Sequence, residues 1–352
     1  MIEFGSRRQV LGGLAALGAQ LAASGAAAAS RGAARREMRV ILLGQAMIQQ
    51  DICVPGWPDM HKLIRHFRGA DVVFTDLEVA ILGPLAGAPI RFDTTLHANP
   101  PEVIDCLKML GITLVTTANN HAWDLNTGGI LSTIDALKRR NVPFAGTGTD
   151  LASASAPAVQ PTRKGPFALV AAAAGMIRDG AAATADRPGV NEIRRNADGT
   201  LVGEDVERTL GAIRRAKGEG ATVLMCLHNH YWEPVQSDTP AWQRRFARAC
   251  VDAGAAAFVA HGTPLMQGYE IYRGAPLFHG LGNFIFQSRR PERYGPETWQ
   301  SLIVDATFRD GAFVGAALIP VVLDSAMRDH EYARGWPAFD RTRSIMRLRA
   351  DG

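Results

Sequence analysis

Residues 97–148 read HANPPEVIDCLKMLGITLVTTANNHAWDLNTGGILSTIDALKRRNVPFAGTG, and this stretch decides the fold. Over 101–110, Val103, Leu107 and Leu110 recur at helical spacing, and Gly111 follows where a helix end favours glycine. The β-branched run ITLVTT (112–117) predicts a buried strand. A polar block, Ala118-Asn119-Asn120-His121-Ala122-Trp123-Asp124, closes that strand. Residues 129–140, with Ile130, Ile134 and Leu137 on one face, predict the next helix. Such an alternation belongs to a sheet covered by helices, with its chemistry at the carboxyl ends of the strands.

Working outward, the pattern repeats. MRVILL (38–43), DVVFTDL (71–77) and TVLMCL (222–227) are further apolar runs that end beside polar residues. The C-terminal third differs: 276–278, 283–287, 301–308 and 312–323 predict successive strands, partly antiparallel, joined by Gly/Pro turns. A two-layered β core with helices outside accommodates both halves. The polar, Gly/Ala/Asn-rich stretch 180–199 predicts a surface excursion, and the Arg- and Asp-rich segment 326–352 a solvated tail after a domain spanning 38–325.

With 352 residues, 47% of them hydrophobic, the chain has material for a sizeable core. Its formal charge of +4 comes mostly from the first 37 residues, where Arg7, Arg8, Arg31, Arg35 and Arg36 face only Glu3 and Glu37. The body is therefore near neutral and has no Lys/Arg run beside interleaved aromatics, which argues against a nucleic-acid partner. Ser6-Arg7-Arg8, a short apolar stretch and then Ala26-Ala27-Ala28-Ala29 predict a twin-arginine signal peptide over 1–29, followed by a linker over 30–37. The apolar part is too short for a bilayer span, so a periplasmic or secreted protein without a transmembrane segment is expected. Cys53, Cys106, Cys226 and Cys250 show no paired spacing; they predict buried small hydrophobes, and an oxidising compartment would permit a disulfide.

Four strand ends carry the candidate chemistry. After 112–117 stand Asn120, whose amide oxygen can ligate a metal, and His121, which can protonate a leaving group. Asp76 and Glu78 project to one side of an extended chain, as do His228 and His230. His261-Gly262 follows the apolar run 255–259 and suits either a ligand or a core histidine. Asn119, Asp124, Trp232 and Glu233 flank these groups and are the expected substrate contacts. The mixed oxygen and nitrogen set without thiolates suits one divalent ion, Mn, Zn or Fe. No nucleophile elbow, phosphate-binding P-loop or dinucleotide fingerprint is present.

Residues 97–148 and the later HGTPLMQGYEIYRGAPLFHGLGNFIFQ (261–287) resemble the CapA-like, poly-γ-glutamate capsule synthesis family, with its Ala-Asn-Asn-His and Leu-Gly-Asn-Phe blocks. The resemblance covers 40–325. It implies a four-layered αββα sandwich of the calcineurin-like metallophosphoesterase kind. It further implies Asn120 as a metal ligand, His121 as the catalytic or phosphate-binding histidine, Asp76 or Glu78 as the acidic ligand, and His228 and His261 as completing one site. Two positions depart from the family pattern: Gln45 replaces an aspartate after Gly44, and Pro264 stands where a second histidine is common. A single ion is therefore expected, with His230, otherwise a catalytic group, or Asp51 as substitute ligands. The implied activity is an exported metal-dependent hydrolase acting on a phosphoester, a small molecule or an anionic polyglutamate-like polymer. The alternatives are a polymer-binding or envelope-assembly protein with a degenerate site, and an epimerase-like proton-transfer enzyme.

Overall fold

In β1 (Glu37–Met47) alternate side chains enter two different cores, and this sets the layers. The computed structural model describes residues 37–351 except 51, 54–55, 91–95 and 329–330. The expected signal peptide, Asp51 and nearly all of the linker lie outside the described residues. Val40 and Leu42 of β1 pack with Phe74, Leu114, Phe167, Leu169, Leu224 and Val259. Ile41 and Leu43 point the other way, against Leu63, Phe67, Val103, Leu107 and Leu110. A strand buried on both faces this way needs an almost continuous apolar sequence, and RVILL supplies it.

The remaining strands of the two main sheets, in chain order, are β2 (Val72–Leu77), β3 (Leu114–Thr116), β4 (Phe144–Ala145), β5 (Ala158–Thr162), β6 (Gly165–Ala174), β7 (Thr222–Asn229), β8 (Ala257–His261), β9 (Tyr269–Tyr272), β10 (Ala275–Phe278), β11 (Asn283–Phe286), β12 (Gln300–Arg309), β13 (Ala312–Leu323), β14 (Pro337–Phe339) and β15 (Met346–Arg349). The principal helices are α1 (Met60–Phe67), α2 (Glu102–Leu110), α3 (Asn126–Arg139), α4 (Gly203–Gly218) and α5 (Ala241–Asp252). The larger sheet runs β14-β13-β12-β1-β2-β3-β4, with β11 also on β1 and β15 on β13. The smaller runs β9-β10-β8-β7-β6-β5. Val40, Phe74, Leu169 and Leu224 fill the space between the sheets. Helices α1 and α2 cover the outer face of the larger sheet. The outer face of the smaller packs on Ala212, Ile213, Phe246 and Ala247 of α4 and α5. This is the expected αββα layering.

Around the site β1, β2 and β3 are parallel, as are β6, β7 and β8, so their carboxyl ends lie at matching edges. The edge of β1 is shared: its first half pairs antiparallel with β12 and its last residues pair parallel with β11. Gly44 permits this switch, because a Cβ there would lie 2.5 Å from Gly282 O.

Three expectations need correction. Residues 326–352 are not a solvated tail throughout, since β14 and β15 extend the larger sheet on β13. The stretch 180–199 is partly packed: Ala181, Val190, Asn191 and Ile193 are buried, and Gly189–Val190 pairs with Thr147–Gly148. Cys53 and Cys106 form a disulfide between the loop after β1 and α2, while Cys226 and Cys250 are buried and free.

Candidate metal centre

Strand register brings the polar residues together. Gln45 lies beside Asp76, Asp76 beside Thr116, and His228 beside His261. At the centre the fully buried His228 directs Nδ1 to Asp76 Oδ2 at 2.8 Å. The carboxylate accepts a hydrogen bond from Nδ1–H, so Nε2 turns its lone pair toward Asn120 Oδ1 at 2.9 Å, His230 Nε2 at 3.0 Å and Glu78 Oε1 at 3.7 Å. Acceptor atoms crowded round a lone pair repel one another unless a cation or proton lies among them. One ligand atom from each of Glu78, His228 and His230 falls within 4.8 Å of the others, which makes this a candidate metal site. Glu78 Oε2 and His230 Nδ1 have no hydrogen-bond partner among the described residues.

The electrostatics fit a cation. Burial, with the charges of Asp76 and Asp124 beside it, pushes the Glu78 carboxyl well above its ordinary range. Burial and neighbouring His228 and His121 push His230 well below its usual value, leaving the neutral ring a ligand requires. Burial also opposes charge on Asp76, but His228 and His261 outweigh it and hold that carboxyl to about 2.

The five expected ligands therefore divide. Glu78, Asn120 and His228 face the common space, and His230 joins them. Asp76 stands behind His228. His261 is further back: its Nε2–H donates to Leu43 O at 3.1 Å, and its Nδ1 lies 3.6 Å from Asp76 and 3.7 Å from Cys226 Sγ. Gln45 Oε1 accepts the Gly262 N–H at 2.7 Å, which ties the His261 loop to β1. Gly262 holds a φ of +100°, where a side chain would be strained.

His121 directs Nδ1 to Asp124 Oδ2 at 2.8 Å, and its Nε2 lies 4.0 Å from Glu78 Oε1. Among the expected substrate contacts, Asn119 and Asp124 are buried and turned inward. Asn119 donates to Asp76 Oδ1 at 3.0 Å and accepts the His121 N–H at 3.1 Å. Trp232 packs on His230 with ring centroids 4.7 Å apart. Glu233 is exposed and lines a surface hollow with Thr239 and Arg244, away from the cluster. Sequence reasoning assigned nothing to His97, which meets His121 edge-on at 4.1 Å. A histidine opening the quoted stretch was its only signal.

Fold and site together define a layered α/β protein whose strand ends gather imidazole, carboxamide and carboxylate groups suited to a divalent metal. The chain belongs to the bacterial capsule synthesis protein PGA_cap family, whose profile matches residues 22–288. It is 27% identical to the capsule biosynthesis protein CapA of Bacillus anthracis over 66% of this chain and 52% of that protein. It is 28% identical to the PGA biosynthesis protein CapA of Bacillus subtilis over 62% and 54%. To the uncharacterized protein y4sH of Sinorhizobium fredii it is 27% identical over 71% and 66%. The chain thus spans about half to two thirds of the curated relatives it matches. Among solved structures it is similar to Haemophilus influenzae NAD nucleotidase, at 11% identity and a TM-score of 0.43, over 86% of this chain and 60% of that one.

Proposed function

We propose that this chain is an exported, metal-dependent hydrolase serving the synthesis of a capsule or envelope polymer, with a phosphoester or an anionic γ-glutamyl or peptide-like substrate. The observation that carries the reading is the crowding of Asn120 Oδ1, Glu78 Oε1 and His230 Nε2 around the His228 lone pair. Glu78, Asn120, His228 and His230 would hold one Mn, Zn or Fe ion. A divalent ion in that set supplies Lewis acidity toward a phosphoryl or carbonyl oxygen and lowers the pKa of water. Asp76 fixes the tautomer of His228. Asp124 accepts the His121 Nδ1–H and would balance the charge of the imidazolium, from which Nε2–H delivers a proton to the leaving group. Trp232 walls the His230 side and excludes water.

A single ion is supported by Gln45 Oε1 and His261 Nε2, which are engaged by Gly262 N–H and Leu43 O. The same engagement favours a second reading, in which the chain binds polymer or assembles with envelope partners without hydrolysing anything. Elemental analysis of the purified chain decides between one, two and no ions: two tight ions overturn the single site, and none overturns the metal. Metal-loaded protein is then assayed against generic phosphoesters and γ-linked glutamyl peptides. Activity lost in His121→Ala supports hydrolysis; a His121→Ala chain that keeps its biological effect supports binding. Export is supported by the Arg7-Arg8 pattern together with the capsule-synthesis relatives, and no described helix is long and apolar enough to cross a membrane. Fractionation comparing the natural chain with R7K/R8K tests it.

A further inference from the structure

His97 takes no part in the ligand set or the proton transfer above, yet it is buried, with 4% of its surface exposed, and touches the proposed proton donor. Its ring stands edge-on to His121, centroids 4.1 Å apart and planes at 85°. Its backbone N–H donates to Asp124 Oδ2 at 3.0 Å, the same oxygen that His121 Nδ1 approaches at 2.8 Å. One carboxylate oxygen is therefore held by the main chain of residue 97 while it orients the imidazole of residue 121.

The segment behind His97 is tied down as well. Gln49 Nε2 meets His97 Nδ1 at 2.5 Å, and the backbone N–H groups of Gln49 and Gln50 donate to Gln287 Oε1 at 2.8 and 3.0 Å. Asn99 Nδ2 donates to Ile48 O at 2.8 Å, so the chain just after His97 is joined to the loop leaving β1. An imidazole turns easily about its Cβ–Cγ bond, because that torsion is broad and roughly two-fold. His121 Nε2 faces Glu78 Oε1 at 4.0 Å in one orientation of its ring, and a turn of the ring would aim it elsewhere. The His97 ring stands edge-on against the imidazole at 4.1 Å and opposes such a turn.

We infer that His97 is a positioning residue for His121: its flat edge and its hold on Asp124 keep Nε2 aimed at the metal-ligand cluster. The inference rests on reading His121 as the residue that transfers a proton beside the ion.

The test uses the full chain labelled with 15N-histidine, in which the His121 Nδ1 proton is assigned by its disappearance in His121→Ala. In His97→Ala the exchange of that proton with water should quicken about tenfold or more, as protection by packing is lost. In His97→Phe, which keeps a flat ring, exchange should stay close to that of the natural chain. Metal content should match in all three. Unchanged exchange in His97→Ala overturns the inference. So does equal acceleration in both variants accompanied by loss of metal, since that marks a residue that merely fills space. If His97→Ala does not fold, His97→Leu replaces it, with volume but no flat ring. Failure of the metal reading shows separately, as a natural chain that binds no ion while the His121 proton still responds to residue 97.

Discussion

Asp76 and His228, 152 residues apart in sequence, meet at 2.8 Å with both side chains fully buried. The contact crosses from one sheet to the other and decides which nitrogen of His228 faces the cluster. Asp76→Asn should therefore lower the affinity for Mn or Zn about 10–100-fold, the usual cost of losing the partner behind a ligating histidine. Competition with a coloured chelator measures this, and unchanged affinity would show that His228 does not ligate through Nε2.

Glu78 gives the second prediction. Burial and the charges of Asp76 and Asp124 raise its carboxyl well above the usual range in the metal-free fold. A raised carboxyl contributes stability that is complete below its unfolded pKa and is lost as pH rises toward its folded one. The chelator-treated protein should thus lose stability from about pH 4.5 upward. Added metal should restore it, and Glu78→Gln should remove both the slope and the restoration. Urea titrations across pH with and without chelator check the sign; a slope unaltered in the variant would place its origin elsewhere.

Much of this arrangement was legible in the sequence because apolar runs ending in polar blocks mark the strand ends directly. Asn120, Glu78 and His228 were found on that signal. The relative depth of His261 and His230 was not: both follow buried strands, and only the Gln45–Gly262 hydrogen bond and the Leu43 carbonyl show His261 turned away. β6 also escaped notice, because Ala171–Ala174 has weak strand preference; burial between β5 and β7 overrides it. His97 lies in a loop without periodicity, so its meeting with His121 depends on contacts distant in sequence.

The third prediction concerns acid stability away from the site. Burial disfavours the Asp305 charge, but the His66 ring, with Nε2 3.3 Å from Oδ2, and two hydrogen bonds from Arg39 outweigh it and hold the carboxyl to about 2. A depressed carboxyl contributes stability above its unfolded pKa that is lost as pH falls through the folded one, here from about pH 4 to 2. Discounted for the partial exposure of Arg39, Asp305→Asn should cost roughly 1–2 kcal/mol at neutral pH and only a small fraction of that near pH 2. Denaturant midpoints at the two pH values test this, and an equal loss at both would rule out a charge effect.

Gly44 carries the last prediction. β1 leaves β12 and takes up β11 just beyond this residue, and Gln45 N–H donates to Gly282 O at 3.0 Å across the junction. A methyl group on residue 44 would sit 2.5 Å from Gly282 O and 2.7 Å from Asn283 C, both of them backbone atoms that no rotamer change can move. The strands must separate, so Gly44→Ala should destabilise the fold by about 2 kcal/mol or more, as overpacking does in tight cores. Because Gln45 then shifts, its bond to Gly262 N–H weakens and the His261 loop is released. Gly44→Ala should therefore alter the His261 ring resonances in NMR spectra well below its melting temperature, whereas Gly203→Ala, where a Cβ meets nothing within 4 Å, should leave them in place. Unmoved His261 resonances in Gly44→Ala would show that the junction does not set the depth of that histidine.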